Sequence, residues 1–202
     1  MMRMGNAVRI EQQRGAGATL PPAGDWLVDT SRSKIAFAGR ASRIAPTVRA
    51  EFGAVRGGLH LADDPNGSRV GVCVDVRTVT TGNPVWDELL RTADPFRAAD
   101  HPLAHYASSA VRWTGTGFAV RGELAIGGAT APLTLEAIVR SNPDDTVTLR
   151  ARGSFDPRSA QIRLDVPGAR LLMPRELQLS VAVIATRAHA AAVPKQRFAL
   201  AS

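Results

Sequence analysis

Asp87, Glu88, Asp94 and Asp100 lie close together in the middle of this 202-residue chain. A carboxyl group whose pKa is raised by its surroundings can act as a general acid or base. An enzyme would draw on this cluster, with Asp87 and Asp94 its first choice. Local structure offers another account of the same residues. Asn83 suits a helix N-cap and Pro84 the first helical position, and Asp87 and Glu88 complement the positive end of a helix dipole. Asp94 suits the turn before Pro95. His101 and His105 are four residues apart, the spacing that brings two rings to one zinc on a helix. Pro102 and the alternation after it read as strand, where four residues span about 13 Å, too far for a shared ion held at about 2 Å. Cys73 falls on the face opposite Val72 and Val74 and has no histidine near it in sequence, so a nucleophilic role is not expected. There is no Gly-x-Ser-x-Gly elbow, and Gly115-Thr116-Gly117 runs on to Gly122 at the wrong spacing for a dinucleotide loop. The chain is therefore expected to hold no metal and no cofactor.

Composition narrows the classes further. The net charge is +7, but two of those charges belong to residues 1–24 and two to residues 188–202. The remainder is spread along strands where arginines alternate with acids. No basic block is interleaved with aromatics, as single-strand binders require, so no nucleic-acid partner is expected. No run of about 18 apolar residues occurs, so no integral membrane span is expected. Residues 1–24 lack a continuous apolar core of the signal-peptide kind, and Cys73 is the sole cysteine. Both features predict a cytoplasmic protein.

Whatever chemistry exists must be positioned by strands. Between two arms without clear period (1–24 and 188–202), apolar and polar residues alternate at period two. Val120, Leu124 and Ile126 oppose Arg121 and Glu123; Val147, Leu149, Ala151 and Phe155 oppose Thr148, Arg150, Arg152 and Ser154. Leu177, Leu179, Val181 and Val183 form another face, as do Val70, Val72, Val74 and Val76, and Trp26, Val28, Ile35 and Phe37. Turn residues separate the runs at Asp63–Gly67, Thr114–Gly117, Gly127–Ala129 and Ser141–Asp145. About eight strands result, near 25–41, 45–62, 69–79, 103–114, 117–127, 130–142, 145–156 and 176–187. Short links make neighbours antiparallel, either as a sandwich or as an up-and-down barrel. An eight-stranded barrel is wide enough to be filled by side chains or to hold one small ligand. Scarce aromatics (5%) and small inward residues hint at a cavity.

The exception to strand is Asn83–Arg91. Val85 with Leu89, and Trp86 with Leu90, stand four apart and give this short helix an apolar flank that must dock to be stable. A barrel mouth, with Phe96 plugging the same end, makes it a lid; a helix that merely caps the core is the alternative.

Several stretches together resemble the YceI-like family. Trp26-Leu27-Val28-Asp29 with Ser33–Phe37 is similar to the family's opening. Phe52, Gly57, Val74-Asp75-Val76 and Thr78–Thr81 continue the likeness. Its most specific part is Asp87–Asp94 with Phe96, then His101-Pro102 and Tyr106-Ala107-Ser108. Gly122–Ile126 with Gly128, Thr130 and Pro132 follows in order. The resemblance covers residues 25–187 and implies an all-β fold: a lipocalin-like, eight-stranded antiparallel barrel with one short helix between its third and fourth strands, holding a long polyisoprenoid inside. Family members often carry histidines where this chain has Leu89 and Gly127, so a less polar ligand or a different headgroup is expected here.

The resulting expectation is a non-catalytic carrier of an isoprenoid or similar long-chain lipid. Its apolar lining would be Ile35, Phe37, Val74, Leu124, Ile126, Leu135, Phe155 and Val181, with Trp86, Leu90 and Phe96 at one end. Arg40 and Arg91 are the candidate headgroup contacts, since an arginine fork pairs well with phosphate. Two alternatives stand beside it: a partner-binding barrel with a filled core, and an enzyme using Asp87 and Asp94. The apolar run Leu171-Leu172-Met173 could be a second gate, a partner surface, or packing under the barrel. A homodimer is one open assembly.

Overall fold

Period-two alternation becomes ten strand segments and one α-helix in a computed structural model, which describes residues 21–42, 44–45, 47–163 and 174–188. The segments are β1 (Gly24–Val28), β2 (Lys34–Gly39), β3 (Val48–Phe52), β4 (Arg56–Leu61), β5 (Arg69–Asp75), β6 (Leu103–Trp113), β7 (Phe118–Ile126), β8 (Ala129–Ser141), β9 (Thr146–Phe155) and β10 (Leu177–Arg187). Helix α1 (Pro84–Ala93) stands between β5 and β6. The two terminal arms lie almost wholly outside the described residues, and Leu171–Met173 lies outside them too.

Every pairing is antiparallel, and the sheet closes on itself. β1 bonds to β4 and β10, and β10 bonds in turn to β2 and β9. Ten segments make eight staves because two expected strands are broken at mid-length. β1 and β2 lie end to end along β10: Val28 pairs with Ala185, and Lys34 with Ala182. Residues 29–33 loop out between them. Asp29 ties the loop, accepting from the backbone N–H of Ser31 and Arg32 at 2.9 and 3.2 Å. Ser33 is buried and accepts from Ile184 N at 3.1 Å. The second break, between β3 and β4, has Ala54 at φ 51° and drives Val55 fully into the core. Such breaks let strands bend, as does the register shift between Ser108 and Ala110, which a small barrel needs in order to close.

One rim of the barrel is the hairpin end, where Trp113 and Phe118 meet edge-on at 4.9 Å between ring centroids. Trp26 is buried there under the Arg187 guanidinium, 5.5 Å from the ring centre. The opposite rim carries α1 and the chain from residue 94 to 102. The β7–β8 turn on this rim is a two-residue link with Gly127 at φ 59° and Gly128 at φ 80°, the conformation that favours glycine in tight hairpins.

Candidate functional site

The helix at the open rim begins as its sequence dictates. Asn83 Oδ1 accepts from the N–H groups of Val85 and Trp86 at 3.0 and 3.4 Å, and Pro84 needs no partner at the first position. It ends at Asp94, in the left-handed region at φ 38°. Asp94 Oδ1 accepts from Ala98 N at 2.7 Å, and Arg97 follows at φ 52°. These two turns fold the chain back and send Phe96 into the barrel, where it is 5% exposed. Its ring packs edge-on against Phe52 at 5.6 Å and Phe37 at 6.1 Å, and those two stand 5.5 Å apart. The plug is therefore the loop after the helix. Arg97 Nη1 donates to Gly127 O at 3.3 Å. A β-carbon at Gly127 would stand 2.9 Å from Phe96 O, so the hairpin's glycine lets the plug backbone seat closely.

Below the aromatic cluster lies an apolar cavity of about 80 Å³. Of the expected lining residues, Ile35, Phe37, Val74, Phe96, Leu124, Ile126, Leu135, Phe155 and Val181 border it. Phe52, Val70, Val72, Tyr106, Leu133, Leu177 and Leu179 border it too; of these, Val70, Val72, Leu177 and Leu179 lie on apolar faces read from the sequence but were not assigned to the lining. Period two could also have found Leu133, which shares its face with Leu135. Phe52 needed the break at Gly53–Val55 to be known. Tyr106 Oη, with one proton to donate, lies 3.2 Å from the Val120 carbonyl and 3.4 Å from that of Leu133, and burial pushes its pKa up to about 12.

Trp86 and Leu90, expected at one end of the lining, are placed elsewhere. They are half-buried on α1 and do not border the cavity, and no helix residue is fully buried. The helix lies across the rim, while Asp94 and Arg97 turn the following loop inward instead. The arginines also face away from the cavity. Arg91 forks onto Glu88 one turn back, with Nε to Oε2 at 3.0 Å, and is exposed. Arg40 donates to Thr47 Oγ1 from Nε and Nη2 at 3.2 and 3.0 Å. It borders an open outer groove of about 690 Å³ with Ala38, Thr47, Arg175, Glu176 and Gln178.

The acids are occupied locally. Asp87 accepts from Thr81 N at 2.6 Å and Thr80 Oγ1 at 2.9 Å. Hydrogen bonds from Thr81, the side chain foremost, hold its pKa below the usual carboxylate value. Arg91 does the same for Glu88. Lowered pKa values suit capping anions; a general acid needs the reverse shift. The structure brings Cys73 opposite His105 across β5 and β6, with Arg56 on its other side, a juxtaposition that sequence distance hides. Burial nonetheless raises the thiol pKa, against the opposing pull of Arg56, so the cysteine is not activated. His101 precedes β6, close enough for a β-carbon at Gly128 to come within 2.6 Å of its Nε2, while His105 lies exposed on the outer face of β6. Among the described residues no three His, Cys, Asp or Glu side chains are grouped to hold a metal ion, and no helix is long and apolar enough to cross a membrane.

Comparison with known proteins matches residues 26–184 to the YceI-like domain. Protein YceI of Escherichia coli O17:K52:H18 is 33% identical over 82 residues, covering 41% of this chain and 43% of that protein. A UPF0312 protein of Pectobacterium carotovorum is 26% identical over 129 residues, 61% of this chain and 65% of its own length. The chain thus matches less than half of the first relative's length. Among solved structures, Burkholderia cenocepacia BcnA superposes with a TM-score of 0.69 at 19% identity, covering 79% of this chain and 99% of that one. A polyisoprenoid binding domain from Saccharophagus degradans, implicated in plant cell wall breakdown, gives 0.63 at 13%, covering 83% and 100%. At these identities the likeness is one of fold.

Proposed function

The chain belongs to the YceI-like family, and from that premise we propose that it is a non-catalytic binding protein that carries a long-chain isoprenoid or similar lipid inside its barrel. The observation that carries the reading is the wholly apolar cavity beneath the Phe37, Phe52 and Phe96 rings. Each buried methylene contributes about 0.8 kcal/mol, so an apolar lumen binds a prenyl chain without elaborate polar recognition. The polyisoprenoid-binding neighbour of the same fold supports this choice of ligand.

The cavity of about 80 Å³ is smaller than the ~150 Å³ void that admits benzene and far below the ~300–1,000 Å³ of ordinary ligand pockets. A long chain therefore enters only if the barrel yields, and the part best placed to yield is Phe96. It sits on a loop, between two residues with positive φ, at the rim the ligand would cross. The loaded barrel in this reading has Phe96 withdrawn and the tail lying where the ring was. The small cavity also favours a second reading, a filled structural barrel that binds a partner by its surface.

One experiment separates the two: purification under native conditions, native mass measurement, then organic extraction and mass spectrometry. A stoichiometric long-chain compound supports the carrier. An empty protein that also refuses polyprenyl compounds and an environment-sensitive apolar dye sinks it in favour of the filled barrel. Catalysis by the acid cluster is tested separately: activity on any ester or phosphoester substrate that disappeared in Asp87→Ala/Asp94→Ala would overturn the non-catalytic reading.

A further inference from the structure

The helix rim is where the protein leaves apolar side chains in water. Ile44, in the β2–β3 connection, is 97% exposed, Val85 in the first turn of α1 is 77% exposed, and Leu103 at the start of β6 is 43% exposed. All three belong to the rim plugged by Phe96. The only other large apolar side chain exposed among the described residues is Ile138, on the barrel wall. Trp86 and Leu89 extend the uncovered flank of α1, each only half-buried. A ten-residue helix is marginal alone, and this one has no side chain fully buried in its own domain.

The charges around the patch are unequal in availability. Asp87 is spent on Thr80 and Thr81, Glu88 on Arg91, Asp100 lies 3.6 Å from Arg97, and Glu176, in the groove itself, accepts from Ser154 Oγ at 2.6 Å. Arg40 and Arg175, by contrast, have no carboxylate within salt-bridge distance among the described residues, and both border the open groove on this rim. Apolar tips on the same rim as two guanidinium groups without a carboxylate partner, Arg40 bonded among the described residues only to Thr47 Oγ1 and in the same connection as Ile44, fit a surface whose apolar layer lies behind an anionic one.

We propose that this rim docks on a lipid bilayer containing anionic phospholipid. Ile44 and Val85 enter the acyl boundary, Trp86 lies at headgroup level where indole rings are favoured, and Arg40 and Arg175 meet phosphate groups. The inference rests on the apolar-ligand reading for its purpose, since a tail could pass from bilayer to barrel across the Phe96 rim without entering water.

The test uses the full chain with vesicles of phosphatidylcholine alone and mixed with phosphatidylglycerol, read by co-sedimentation. Brominated acyl chains give a second readout by quenching tryptophan. The expected result is binding to mixed vesicles, with quenching abolished in Trp86→Phe, because Trp26 and Trp113 belong to the opposite end. Ile44→Ser and Val85→Ser, at positions too exposed to unfold the barrel, should each weaken binding about tenfold or more. Arg40→Ser and Arg175→Ser should each cost about fivefold on anionic vesicles only. Failure of the wild-type protein to bind vesicles, unchanged binding in the Ile44→Ser/Val85→Ser double variant, or loss of a dimer in that variant in place of vesicle binding would overturn the proposal. Prenyl uptake measured in parallel keeps the two readings apart: uptake without vesicle binding removes the docking surface alone, and vesicle binding without uptake removes the carrier alone.

Discussion

Replacing Phe96 with alanine removes the plug, and the consequences are calculable in sign and size. The side chain is 5% exposed and touches two other rings edge-on. Deleting a phenyl from such a site costs ~3–5 kcal/mol when nothing refills it. For a domain of this size that is a fall in Tm of roughly 6–20 °C. The void would merge with the neighbouring 80 Å³ cavity and lead to the rim. An apolar chain that must displace Phe96 in the wild type meets no such cost in the variant. Phe96→Ala is therefore expected to lose stability when empty and to regain it in the presence of a prenyl alcohol, by RT ln(1 + [L]/Kd), with a larger shift than the wild type shows. Thermal melts with and without ligand measure both quantities. The reasoning is refuted if the empty variant melts like the wild type, because Phe96 would then not be packed as described. It is equally refuted if the variant is destabilised and no apolar ligand restores it, because the space would then be core and not a route.

Three further expectations follow from particular contacts. Asp87→Asn should loosen the Thr80–Thr81 link to α1, seen as faster amide exchange at Thr81 and Val85. Because Asp87 has a lowered folded-state pKa, its contribution is present above the ordinary carboxylate pKa and is lost as pH falls through the depressed value; exchange at Thr81 that is indifferent to that fall would contradict the assignment. Tyr106 is the only tyrosine, so tyrosinate absorbance reports it alone. With a folded pKa raised from 10.0 to about 12, its stabilising effect is intact below 10 and lost as pH rises toward 12; a titration midpoint near 10 with the fold intact would show an exposed hydroxyl. Gly127→Ala should cost about 1–2 kcal/mol from left-handed backbone strain, beyond the contact with Phe96 O, and a denaturant midpoint equal to wild type would exclude that seating of the plug.

How much of this was legible beforehand differs by element. Antiparallel strands, their inward faces and the turns between them follow from period-two alternation, because a side chain on a strand has only two faces to choose from. The start of α1 was equally legible, since Asn83 and Pro84 act within one turn. The breaks at residues 29–33 and 53–55 were not: the first lies between two strands that pair with β10, more than a hundred residues away, and the second lies between a strand paired with β2 and one paired with β1 and β5. The same limit applied to Trp86 and Leu90. Their spacing gives an apolar flank, but which segment enters the barrel is decided by the backbone at Asp94 and Arg97.

The sequence by itself determined the fold class, the eight staves, the family and the apolar character of the interior, all properties of local pattern and ordered motif. Only the tertiary structure decided that three phenylalanines from β2, β3 and the rim loop meet and leave about 80 Å³ beneath them. It also decided that Arg91 turns to Glu88 while Arg40 and Arg175 have no carboxylate partner among the described residues. Packing volume and charge pairing depend on distances between residues far apart in the chain, and those distances exist only after the barrel has closed.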